Sequence, residues 1–87
     1  MVKTREIIRL KGTIIITEYD RRGNPLEIGM ETDDFQTYIV TCKERGNELF
    51  KYIAKKVILD CYLEGKSYFG SPLISVMDYF FEEGGCK

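Results

Sequence analysis

Apolar and polar residues alternate through "REIIRLKGTIIITEY" (Arg5–Tyr19), with Ile8, Leu10, Ile14 and Ile16 in one phase and Arg9, Lys11, Thr13 and Thr17 in the other. A period of two over so many residues predicts one long strand with a single buried face. Gly12 interrupts the inward set, and a glycine inside a strand marks a bend, a bulge or a close backbone approach. Asp20–Pro25 reads as a turn, after which Leu26, Ile28 and Met30 alternate with Glu27, Gly29 and Glu31 as a second strand. "TDD" (Thr32–Asp34) makes a tight connection to a third strand, Phe35–Cys42. Either Tyr38 and Val40 or Thr37 and Ile39 face inward there, and the first pair is favoured.

The period then changes. Leu49, Phe50, Ile53, Ala54 and Val57 fall on one side at helical spacing, opposite Glu48, Lys51 and Lys55. This predicts an α-helix of about ten residues with Asn47 as its N-cap, a residue type whose short side chain accepts from a first-turn amide. Val57, Leu59, Cys61 and Leu63 share one phase of a fourth strand. Glu64–Pro72 is a loop punctuated by Gly65, Gly70 and Pro72, and Leu73–Phe81 is a fifth strand whose "YFF" end is expected in the core. A polar tail covers 82–87. The 87 residues form one domain, 1–87, with its core over about 5–81, since so short a chain cannot build two cores.

The order strand, strand, strand, helix, strand, strand, with a central glycine in a long first strand, resembles the OB-fold. "ELFKYIAKKVILDCYLEG" is similar to the helix-then-strand segment of many small bacterial OB-fold proteins. In those a glycine often precedes the Lys-Lys-Val, and another often follows the strand's apolar pair; here the positions hold Ala54 and Cys61. The resemblance implies a mainly β chain: a five-stranded Greek-key barrel with one α-helix between strands three and four. It also implies a binding site on the outer face of strands two and three, flanked by the loops joining strands one to two and four to five. In this sequence those loops offer Arg21 and Arg22 on one side and Lys66, Tyr68 and Phe69 on the other.

Cations for phosphate and aromatic faces for bases are the two ingredients of single-strand binding, so weak binding of single-stranded nucleic acid is the leading expectation. Each feature has a plainer reading. The arginines suit a solvated hairpin tip beside Gly23 and Pro25, and Tyr68 and Phe69 suit a plug at the end of the barrel. Charge argues against phosphate on the face itself. Residues 1–25 carry a net +3, while residues 26–42 carry four acids and no base. Glu27, Glu31, Asp33 and Asp34 therefore favour a second expectation, a protein-interaction or assembly module that uses the acidic strand two and three face or a sheet edge.

The chain has no histidine and three cysteines without a Cys-x-x-Cys, which excludes the usual structural zinc and disulfide frameworks. Cys42 and Cys61 read as small buried hydrophobes and Cys86 as an exposed thiol in the tail. No motif sets a nucleophile beside a base, so neither an enzyme nor a cofactor is expected. The charged N-terminus lacks a signal-peptide core and no apolar run is long enough to span a bilayer, which makes a reduced cytoplasmic protein the expectation.

Overall fold

The computed structural model describes residues 6–67 and 70–81. Five strands, β1 (Ile8–Tyr19), β2 (Pro25–Thr32), β3 (Thr37–Glu44), β4 (Lys56–Lys66) and β5 (Pro72–Phe81), close into a ring in the order β1-β2-β3-β5-β4. All neighbours are antiparallel except β3 and β5.

The ring closes because β1 serves two partners. Its first half, Ile8–Thr13, pairs with β4, and its second half, from Gly12 onward, pairs with β2. Gly12 stands at the change, opposite both Thr32 and Val57, and any Cβ there would run into the carbonyl of Glu31. The central glycine is thus a point of close strand approach, which a side chain would prevent.

Inward residues build one core. Ile14, Ile28, Met30, Val40, Val57, Leu59, Cys61, Ile74 and Val76 are all but inaccessible, with Ile8, Leu10, Tyr38 and Tyr79 packed around them. Tyr38 and Val40 do face this core. Ile39, on the opposite face of β3, is also buried but lies outside the core cluster.

The expected α-helix is replaced by a 3₁₀ helix, Gly46–Tyr52. It is preceded by Arg45 with no side-chain cap, and Asn47 lies exposed inside it. Both ends are tied to strands. Arg45 N donates to Val76 O at 3.1 Å, while Ala54 N donates to Ile14 O at 2.7 Å and Ile14 N to Lys55 O at 3.1 Å. A 3₁₀ helix rises about 2.0 Å per residue against about 1.5 Å for an α-helix, so seven residues bridge more of the gap between these anchors. Leu49, fully buried, is the helix's residue in the core cluster, and Phe50 and Tyr52 pack against that cluster. Ala54 takes φ +73° to turn the chain into β4, a left-handed backbone that glycine adopts more readily than alanine.

Two apolar expectations are corrected. Phe80 and Phe81 are 41% and 45% exposed, so "YFF" is not wholly core. The β4–β5 register skips Met77 between the pairs Asp60↔Asp78 and Cys61↔Val76. That bulge sends Tyr79 inward and Phe80 outward. Phe81 sits at the mouth of the ring, edge-on to Tyr52 at 4.8 Å between centroids. Leu63, though in phase with Cys61, is exposed because it lies past Ile8↔Cys61, the last β1–β4 pair.

Candidate binding cleft

A cleft of about 650 Å³ lies on the outer face of the sheet. It is lined by Thr17 and Glu18 of β1, Glu27 of β2, Thr37 and Ile39 of β3, and Ser67 and Ser71 of the β4–β5 turn. Its volume falls within the ordinary range for small-ligand pockets, about 300–1,000 Å³.

A bulge builds one wall. The β1–β2 register passes from Ile16↔Ile28 directly to Glu18↔Glu27, leaving Thr17 as the extra residue. Beyond it Glu18 and Glu27 are direct cross-strand partners and both reach the cleft, although like charges in that position repel. The Thr17 hydroxyl donates to Glu27 Oε1 at 2.7 Å and fixes that carboxylate.

The opposite side is a short hairpin. β4 runs on to Lys66 and β5 begins at Pro72, so the expected Glu64–Pro72 loop contracts to residues 67–71. Ser67 N donates to Ser71 O at 2.7 Å, Gly70 N to Ser67 O at 2.9 Å and Ser71 N to Ser67 Oγ at 3.1 Å. Beside it, fully buried Ser75 donates its hydroxyl to Glu64 and lies 3.2 Å from Thr41 Oγ1. This buried hydroxyl is satisfied, and it acts as a tie between strands.

Arg21 and Arg22 are exposed on the β1–β2 turn. Asp20 does not neutralise them. Its Oδ1 accepts from the backbone N of Arg22 at 2.8 Å and of Asn24 at 2.9 Å, and these bonds hold its carboxyl below the usual range, with Asn24 contributing most. Among the described residues neither guanidinium has an ion pair. Lys66 is an exposed residue of β4 opposite Pro72, not a loop residue. Glu18 and Ser67 line the cleft, so the segments bearing the three cations both end at it, yet among the described residues no cation lines it. Tyr68 and Phe69, the aromatic half of the expected site, lie outside the described residues, as do the Cys42 side chain and Cys86.

Cys61 is fully buried and its thiol is pushed up to about 12, chiefly by burial, so it stays protonated at neutral pH. Among the described residues no group of histidine, cysteine and carboxylate side chains is placed to hold a metal ion, and no helix is long and apolar enough to cross a membrane.

Thr17, Glu18, Thr37, Ile39, Ser67 and Ser71 were not among the expected site residues, and Glu27 was expected both to repel phosphate and to belong to an acidic interaction face. Thr17, Glu18, Glu27, Ser67 and Ser71 lie near the β1–β2 and β4–β5 turns, but the bulge at Thr17 has no residue signature and Thr37 and Ile39 lie on β3, away from both in sequence. No family model, curated protein or solved structure matches this chain.

Proposed function

We propose that this chain is an OB-fold-type binding module whose cleft takes a segment of a protein partner carrying a lysine or arginine. The strand order β1-β2-β3-β5-β4, with a helix between β3 and β4, supports the Greek-key OB reading, on which the outer face of strands two and three, where Glu27, Thr37 and Ile39 line the cleft, would be the usual site. The observation that carries the choice of ligand is the cleft's lining among the described residues: two carboxylates, four hydroxyl side chains and Ile39, with no cation. A polyanion entering there meets like charge, whereas a cationic side chain relieves the opposed Glu18 and Glu27 and lays its methylene stem on Ile39. The role is that of a binder rather than an enzyme, and the buried free thiol of Cys61 suits a reducing compartment such as the cytoplasm.

Amide NMR titration at low salt tests this, using an arginine-containing peptide and its glutamine twin. Shifts at Thr17, Glu27, Thr37 and Ile39 that are larger for the arginine peptide, and diminished by Glu27→Gln, are the expected result. No shift at these residues with either peptide overturns the reading.

A second reading, single-stranded nucleic acid on the rim, is favoured by the guanidinium groups of Arg21 and Arg22, which have no ion pair among the described residues. It predicts shifts at Arg21, Arg22 and Lys66 on adding an oligonucleotide, lost as salt rises. Absence of those shifts at low salt ends it.

A further inference from the structure

The β2–β3 turn places a phenylalanine where hairpin chemistry asks for glycine. Phe35 N donates to Thr32 O and Thr32 N to Gln36 O, each at 2.9 Å, which makes a three-residue hairpin loop ending in a left-handed residue. Phe35 is that residue, at φ +66°, and it is 83% exposed. Its backbone is unfavourable for a bulky side chain and its ring gains nothing from burial. Asp33 and Asp34 precede it, both exposed. Lys56 approaches Asp33 at 3.5 Å, while Asp34 accepts the hydroxyl of Thr32 and has no ion pair among the described residues.

The other end of β2 carries the complement. The β1–β2 turn presents Arg21 and Arg22, whose guanidinium groups lack a carboxylate partner among the described residues, between the exposed apolar side chains of Tyr19 and Leu26. Eight residues of β2 separate the turns, roughly 25 Å at strand rise, so the two tips of one molecule cannot meet. The chain already shows how such groups combine. On the β1–β4–β5 face the Arg9 guanidinium makes two hydrogen bonds to Asp60 and lies 5.4 Å from the centroid of the Phe80 ring.

We propose that the protein self-associates head to tail, the Arg21–Arg22 turn of one molecule seating on the Asp33–Asp34–Phe35 turn of the next. Guanidinium stacks on the Phe35 ring and pairs with the aspartates, repeating between molecules the Arg9–Asp60–Phe80 arrangement. The contact is heterologous, so it propagates beyond a dimer unless the rotation between copies closes a ring. Hairpin tips bury less than the ~1,200 Å² of a stable interface, which makes the association weak and concentration-dependent. It does not depend on what the cleft binds.

Sedimentation velocity of the full chain over a wide concentration range tests it. At low salt the weight-average sedimentation coefficient rises with concentration, and high salt suppresses the rise. Phe35→Gly, which suits the left-handed backbone and melts no lower than wild type, abolishes the rise. Arg21→Glu/Arg22→Glu and Asp33→Lys/Asp34→Lys are each monomeric alone, and an equal mixture of the two associates, since one then has two acidic tips and the other two basic ones. A wild-type protein that stays monomeric at every concentration in low salt overturns the proposal. So does an oligomer indifferent to Phe35→Gly and to both charge reversals.

Discussion

Arg9 and Asp60 face each other across the β1–β4 ladder and meet through two hydrogen bonds, Nε to Oδ1 at 2.7 Å and Nη2 to Oδ2 at 3.1 Å. This bidentate pair joins the first half of β1 to the strand that closes the ring. The Arg9 hydrogen bonds lower the Asp60 carboxyl pKa, so the folded chain holds its proton less tightly than the unfolded chain. The pair's contribution is therefore complete above the unfolded aspartate value of about 3.9 and is lost as pH falls through the folded value. Thermal melts of wild type and Asp60→Asn will differ at neutral pH and converge in strong acid. High salt will narrow the neutral-pH gap, because the pair is exposed to solvent.

Ala54 holds a left-handed backbone at the exit from the 3₁₀ helix. That conformation costs an L-residue about 1–2 kcal/mol, while glycine's greater freedom in the unfolded chain returns about 0.4–1 kcal/mol. Ala54→Gly will stabilise the protein by about 0.5–1 kcal/mol. Urea titration will show a higher midpoint with an unchanged slope.

Cys61 is sealed in the core, its thiol held protonated by burial and by the neighbouring charge of Asp60. In native protein Cys61→Ala will take up a thiol reagent to the same extent as wild type, and in denaturant it will take up one equivalent less. Cys61→Ser puts a hydroxyl in the same apolar site and will cost about 1–3 kcal/mol.

The strands were legible because each exposes a period of two, and Gly12 announced the close approach that lets β1 change partners. The helix was legible in place but not in kind, since its 3₁₀ form follows from bonds to Val76 and Ile14, far away in sequence. "YFF" misled because the Met77 bulge, which nothing in the residue string marks, reverses the alternation. The same holds at the cleft. Arg21 and Arg22 stood out from their turn but do not line the cleft, while Glu18 and Glu27 became a facing pair only through the bulge at Thr17. Phe35, expected to begin the third strand, is instead the last residue of the turn, and β3 starts at Thr37; "TDD" marked the turn, but the glycine that would have marked its end is absent.

The divided pairing of β1 also sets an order of events in time. Its second half meets β2 as soon as the Asp20–Asn24 turn forms, a local step. Its first half must wait, Ile8 for Cys61 and Thr13 for Lys56, until most of the chain has left the ribosome. The nascent β1–β2–β3 meander therefore carries an open edge through much of synthesis, and Arg9 and Lys11 keep that edge charged while it is bare. Core substitutions in β1–β2, such as Ile28→Val, will slow folding, whereas Leu59→Ala in β4 will mainly hasten unfolding, a split that chevron kinetics reads directly. The long strand that makes the ring small enough to close is also what makes closure late.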